Sequence, residues 1–360
     1  MNNIYDFFLP IYNKYGMSVI CNELYVHKGT VQRWIEKKEV PPQYYFDLCR
    51  ISGTKIDYSQ YNEKDKDQFF TCNETAKYCY NKAIKIISSF CNFEDYTIIE
   101  PSAGDGSFYN LFPTNKRIGI DIEPRCDGII QSDFLAWKPN GNKNICIGNP
   151  PFGLRGNLAL KFINYAAEFS DFVCFILPKL FDSNGKGSCK SRVKGLNLIY
   201  SEVIDSDFYY PKGKEVKVNV VFQIWSKHHK VSEDNIDLTD IVKLYSLSDG
   251  GTPSSTRNKK HLYSCDYYLP STCFGKETMK VYDNFESLPH RRGYGIVIQN
   301  HKQLLDEIIN TIDWSSVAFE STNGAYNLRF DLIGRSIWNH LPDEAKRPKM
   351  NIEDYIMCQS

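Results

Sequence analysis

The residues most suited to chemistry follow the apolar run Asn144–Ile147 as Gly148-Asn149-Pro150-Pro151-Phe152-Gly153. Two successive prolines remove two backbone donors and fix φ, so the chain leaves the run as a rigid loop with carbonyls free to accept hydrogen bonds. An exocyclic amino group on adenine or cytosine is a poor nucleophile because its lone pair is delocalised into the ring. Two acceptors, the Asn149 side-chain oxygen and the Pro150 carbonyl, can bind its two hydrogens and favour a more tetrahedral nitrogen. Phe152 would stack on the base, so catalysis would be positioning plus electrostatics without a covalent intermediate. Asn-Pro-Pro is also a common turn, and its weight comes from what precedes it.

Upstream, Tyr96–Phe108 reads as a buried strand, a small-residue loop and a helix start, with Glu100, Pro101, Ser102, Ala103, Gly104 and Gly106 forming the loop. The two glycines permit a tight turn and close approach of a ligand to the backbone. The run Arg117–Ile120 then ends in Asp121, twenty-one positions after Glu100, where a carboxylate can accept both ribose hydroxyls of a nucleoside cofactor. NAD, FAD and S-adenosylmethionine sites all use this logic. A third strand tip, Gln131-Ser132-Asp133-Phe134, tilts the choice. Asp133 can accept from an adenine amino group while Phe134 packs on the ring; the alternative is a helix cap at Asp133 and a core Phe134.

The elements that must position these residues fall into three blocks: 1–62, 67–228 and 230–360. The charge run Glu63–Asp67 reads as a solvated connector. In the central block, β-branched runs at Thr97–Ile99, Arg117–Ile120, Asn144–Ile147, Phe172–Leu177 and Val218–Trp225 alternate with helical patterns. That alternation predicts an α/β fold with a parallel, Rossmann-like sheet. The last block opens with the polar, Gly/Ser/Pro-rich stretch Ser246–Lys260 and is read as mixed.

In the first block, Ile20, Leu24, Val26, Val31 and Trp34 suit two short helices across a tight turn, with Thr30 as N-cap of the second. The exposed face would carry Lys28, Thr30, Gln32, Arg33 and Lys37, types able to reach base edges or phosphates. The pattern resembles the helix-turn-helix of phage-repressor-type domains, including the Pro41-Pro42 stop. The bland alternative is a small helical cap with a solvated basic face.

Composition excludes other classes. The 360 residues carry 43 Lys+Arg against 43 Asp+Glu, so any nucleic-acid footprint must be local. Apolar stretches fall far short of the roughly 18 residues that span a bilayer, so no membrane partner is expected. No secretory signal is visible at the N-terminus. The twelve cysteines are scattered without a C-x₂₋₄-C pair, which suits free thiols in a reducing, cytoplasmic setting and no metal.

Taken in order, the motifs resemble class I S-adenosylmethionine-dependent amino-methyltransferases, in particular DNA adenine-N6 methyltransferases of the γ-type order, over residues 67 to 228. The resemblance implies that Asp67–Thr71, with Phe70 and Thr71, closes over the methionine part of the cofactor. It makes Glu100–Phe108 the glycine loop, Asp121 and Ile122 the ribose acid and its adenine-contacting neighbour, Asp133 and Phe134 the adenine site, and Asn149–Phe152 the catalytic loop. Within Phe208-Tyr209-Tyr210 it places an aromatic that stacks on the extruded base, with Phe208 favoured and Tyr209 beside it.

The implied cofactor is S-adenosyl-L-methionine, the partner DNA, with a restriction endonuclease encoded separately as companion in a bacterial, phage or viral setting. A duplex adenine must be flipped at a cost of about a few kcal/mol, which calls for a DNA clamp. Candidates are Lys186, Lys190 and Arg192, then Arg257, Lys259, Lys260, Arg291 and Arg292, with residues 230 to 360 as target-recognition region. Cytosine-N4, RNA adenine-N6 and protein glutamine methylation share the Asn-Pro-Pro-aromatic loop, and a DNA-binding regulator on an inactive methyltransferase scaffold is the reading from another class.

Overall fold

The computed structural model describes residues 4–61, 69–141, 143–183, 188–204, 207–210, 213, 215–217, 220–231, 236, 238–250, 256–320 and 324–346. They divide into two compact units, one of residues 1–182 and 192–231, the other of residues 183–191 and 232–360.

The first unit begins with helices α1 (Ile4–Glu23), α2 (Lys28–Lys37) and α3 (Tyr45–Ser52). Gly16, at φ 77° and ψ 170°, breaks the helical path within α1, so a short helix precedes the turn into α2 as the spacing predicts. Ile20, Leu24, Val31 and Trp34 are buried, with Trp34 between Phe8 and Tyr44 at ring distances of 5.9 and 4.8 Å. The N-cap differs from expectation. His27 is extended and its Nδ1 accepts from the Gly29 amide at 3.2 Å, so Thr30 already lies within the first turn of α2.

The α/β part comprises β1 (Phe70–Thr71), α4 (Asn73–Ile87), β2 (Thr97–Glu100), β3 (Arg117–Asp121), β4 (Ile130–Gln131), β5 (Asn144–Gly148), α5 (Asn157–Ala166), β6 (Phe172–Pro178), β7 (Asn197–Ile204), β8 (Asp207–Tyr209), β9 (Glu215–Lys217) and β10 (Val220–Ser226). Seven strands form one sheet in the order β4-β3-β2-β5-β6-β10-β7. The first five run parallel, and β10 is antiparallel to both its neighbours. Strands β1, β8 and β9 make a small antiparallel sheet that pairs Phe70 with Tyr209 and Thr71 with Phe208. The core joins Ile98, Ile145, Ile147, Cys174, Ile176, Phe222 and Ile224 of the sheet to Ala76, Cys79 and Ala83 of α4.

From β2 the chain passes to β3 on one side, and from β5 to β6 on the other, so the order reverses between the adjacent strands β2 and β5. In open α/β sheets the crevice beyond the carboxyl ends of such strands is where ligands bind. The helix start expected after the glycine loop is replaced by one 3₁₀ turn, Tyr109–Leu111. Pro113 explains this, because the residue before a proline is pushed out of the α region.

The second unit contains the antiparallel sheet β11-β14-β12, where β11 is Val242–Ser248, β12 Tyr267–Pro270 and β14 Arg292–Ile298. It also contains the sheet β13-β16-β15, of Thr272–Phe274, Ala325–Asn327 and Phe319–Glu320. Helices α6 (Lys302–Thr311), α7 (Trp314–Val317), α8 (Phe330–His340) and α9 (Asp343–Lys346) complete it. Leu247, Leu262, Tyr268, Phe285 and Leu288 form one of its cores. No helix among the described residues is long and apolar enough to cross a membrane.

Candidate active site at the ends of strands β2 and β5

Glu100 ends β2 with its side chain buried and its Oε2 without a hydrogen-bond partner. Burial, then the nearby charges of Asp121 and Asp105, pushes its carboxyl well above the ordinary carboxylate range, against a backbone hydrogen bond at Tyr109 that pulls the other way. Next to it on β5, Gly148 leaves only 3.2 Å between a would-be Cβ and Glu100 Cγ. The small residue there makes room for the acid.

The glycine loop runs over Pro101, Ser102, Ala103, Gly104, Asp105 and Gly106, with φ of 47° at Gly104 and 88° at Gly106. It is tied to β3 by Ala103 N donating to Ile120 O at 2.9 Å, and to the segment after β3 by Arg125 N donating to Gly104 O at 2.9 Å. Close approach at Gly104 is made by the protein itself, since a Cβ there would lie 2.8 Å from the Phe70 ring. Phe70 thus lies against the loop, and Tyr209 meets the Phe70 ring edge-on at 5.7 Å.

Asp121 stands at the end of β3 as expected. Its Oδ2 accepts from Gly104 N at 2.8 Å and its Oδ1 from Glu123 N at 2.7 Å. Those two bonds orient the carboxylate and leave lone pairs on both oxygens. Burial nevertheless raises its pKa, opposed by the two amide donors. Ile122 is half-buried, with its carbonyl accepting from Gln131 Nε2 at 3.2 Å. A cleft lined by Glu123, Arg125, Cys126, Asp127 and Gln131 adjoins this corner.

The catalytic-loop candidates gather at the same sheet edge. Asn149 Nδ2 donates to Thr71 Oγ1 at 3.1 Å, and Ser102 Oγ donates to the Asn149 carbonyl at 3.0 Å. One bond fixes the side chain and the other the backbone. Asn149 Oδ1 is buried without a donor, and no described donor reaches the Pro150 carbonyl. Pro150 is buried, while Pro151 and Phe152 are half-buried, Phe152 packing against the sheet core. The Phe152 carbonyl accepts from Leu158 and Ala159 at 3.2 Å each, which joins the loop to the start of α5.

The ring contacts expected of Phe134 and Phe208 are overturned. Phe134 is 1% exposed and stacks on Phe162 at 5.1 Å, with Tyr165 edge-on at 5.4 Å, so it is a core ring. Asp133 caps the following 3₁₀ turn, its Oδ1 accepting from Leu135 N at 3.0 Å, and its Oδ2 accepts from Arg50 Nε at 2.9 Å. Phe208 is 2% exposed among the core residues, so its ring has no free face for a base. Tyr209 donates its hydroxyl to Asp105, and burial together with that bond pushes it up to about 12. Tyr210 is the half-buried member of the trio, its ring 5.1 Å from Phe69.

Among the basic candidates, Lys28, Gln32 and Arg33 are exposed on α2 and Thr30 is half-buried. Arg192 lies with its guanidinium 5.8 Å from the Tyr25 ring centroid. Lys190 is half-buried, in the 3₁₀ turn Lys190–Arg192. Arg291 is ion-paired with Asp249, and exposed Arg292 sits opposite Ser248 in β14. Lys186 and Asp67-Gln68 lie outside the described residues. Arg50 was missed, since nothing local joins it to Asp133, 83 positions away.

No family model matches the chain. A stretch of 77 residues is 34% identical to Type II methyltransferase M.CvrRI of Paramecium bursaria Chlorella virus XZ-6E, covering 18% of this chain and 20% of that protein. Type II methyltransferase M.TthHB8I of Thermus thermophilus is 32% identical over 71 residues, 16% of each chain. The match thus spans about a fifth or less of either relative. Among solved structures, magnesium protoporphyrin IX methyltransferase from Synechocystis PCC 6803 with bound SAM is 12% identical, at a TM-score of 0.31, over 52% of this chain and 98% of that one.

Proposed function

We propose that the chain is an S-adenosylmethionine-dependent methyltransferase that acts on DNA and methylates the N6 amino group of a flipped adenine. The observation that carries this reading is the pair of unengaged acceptors, Asn149 Oδ1 and the Pro150 carbonyl, held at the switch point by Thr71 and Ser102. A buried acceptor without a donor is costly unless a ligand satisfies it. An amino group with two hydrogens matches two such acceptors. The local similarity to two Type II methyltransferases supports the same reading.

The residues present fit the cofactor. Glu100 Oε2 is a buried acceptor without a partner, suited to the ammonium of the methionine part, and Asp121 keeps lone pairs for the ribose hydroxyls. S-adenosylmethionine, when bound, supplies the electrophilic methyl group. Asn149 and Pro150 draw the two amino hydrogens out of the ring plane, so the nitrogen lone pair is available for in-line attack, and the proton leaves to solvent. With Phe208 in the core, Phe152 and Tyr210 take over the stacking of the target base. Helix α2 supplies a DNA contact as the second helix of a helix-turn-helix, the second unit serves target recognition, and the companion endonuclease is encoded separately.

Digestion of unmethylated AT-rich plasmid to nucleosides after incubation with protein and S-adenosylmethionine tests this by mass spectrometry. N6-methyldeoxyadenosine is the expected product. N4-methyldeoxycytidine would change the base and keep the site. The absence of both products, with the cofactor bound, would remove DNA as substrate.

A further inference from the structure

The Asp133 carboxylate is held from outside the α/β sheet. Arg50, near the end of α3, donates from Nε to Asp133 Oδ2 at 2.9 Å and from Nη1 to Asp47 Oδ1 at 3.0 Å. The same Asp47 oxygen accepts from Lys161 Nζ of α5 at 2.7 Å. Arg50 is therefore clamped at two points. Its planar fork gives Asp133 a defined orientation, which a flexible ammonium would not. Both side chains of the pair retain 23% exposure, so the carboxylate is reached by Arg50 yet still open on one side. An ionised carboxylate has about four lone-pair positions. Leu135 N and Arg50 Nε occupy two of Asp133's, which leaves acceptor capacity for at least one further donor.

We infer that Arg50 is a positioning residue for the adenosine end of the cofactor: the appended N-terminal helices set the orientation of the Asp133 carboxylate that accepts from the adenine amino group. This rests on the S-adenosylmethionine reading given above. It adds that the N-terminal helices are part of the cofactor site, whatever α2 binds. Arg50 itself reaches Asp133, Asp47 and the Tyr58 hydroxyl, and its effect on the cofactor passes through Asp133.

The test compares two ligands on the full-length protein by calorimetry. One is S-adenosylhomocysteine; the other is its purine-riboside counterpart, in which the 6-amino group is replaced by hydrogen, so that neither position 6 nor N1 can donate to Asp133. The wild type is expected to prefer the adenine compound. Arg50→Gln is expected to weaken S-adenosylhomocysteine about tenfold, the usual size of effect for a charge-assisted contact, and leave the purine-riboside compound unchanged. Lys161→Met, which disturbs the far side of the same network, should keep the preference. Should Arg50→Gln not fold, Arg50→Lys carries the same comparison with a smaller loss, since it keeps the charge and loses the second arm.

Three results overturn the inference and leave the cofactor site standing: an unchanged preference in the Arg50 variants, equal weakening of both ligands, or tighter S-adenosylhomocysteine binding because Arg50 had been covering the carboxylate. If the wild type binds neither compound, the cofactor reading and this inference fall together.

Discussion

Glu100 pays a desolvation cost that a purely structural position would not keep. Its folded carboxyl titrates above the ordinary value of 4.5, first through burial. The folded protein therefore binds a proton that the unfolded chain has released, and stability falls as pH rises from about 4.5 through the raised value. Above that value the penalty is fully present. Glu100→Gln is expected to raise Tm at neutral pH, flatten that part of the profile, and weaken S-adenosylhomocysteine binding. A Tm unchanged at every pH would contradict it. The aromatic trio gives a second contrast. Phe208→Ala empties a core position and should cost about 3–5 kcal/mol in denaturant unfolding. Tyr210→Ala should leave stability nearly intact and slow methyl transfer about tenfold or more, the scale of one lost base stack.

At the scale of elements, the strands that carry the site were legible because parallel strands covered on both faces read as short β-branched runs. Thr97, Arg117, Asn144 and Phe172 open their strands where the runs begin. Strand β7 was not legible. It is an edge strand whose Ser201, Glu202 and Val203 face partly to solvent, so its pattern is neither alternating nor continuous. The helix-start signal after the glycine loop failed for the opposite reason, a strong local cue overruled by Pro113. At Asp133 and Phe134 the same dipeptide suited a cap and core as well as an adenine site. Leu135 makes Asp133 a cap and Phe162 makes Phe134 a core ring, while Arg50 holds the Asp133 carboxylate with acceptor capacity to spare. The glycine loop also yields a prediction. Gly104→Ala forces a Cβ to 2.8 Å from Phe70 at a φ of 47°, and should cost about 1–3 kcal/mol while loosening the ribose corner through the Asp121 bond. Unfolding and S-adenosylhomocysteine titration of the variant measure both effects.

At the scale of the molecule, zero net charge removes any global pull toward nucleic acid, so any DNA affinity must come from local cations. If the exposed face of α2 contacts phosphates, Lys28→Ala and Arg33→Ala each lower the slope of log affinity against log salt by about one. Unchanged slopes would leave the N-terminal helices a cap on the α/β part, a role their bonds to Asp133 and α5 already fit. The central claim is that Asn149 Oδ1 receives the target amino group. Single-turnover methyl transfer to unmethylated DNA by wild type and Asn149→Ala, with S-adenosylhomocysteine affinity measured in parallel, tests it most directly. A loss of about a hundredfold or more in the transfer rate at nearly unchanged cofactor affinity is the predicted result. Transfer at the wild-type rate by Asn149→Ala would contradict it.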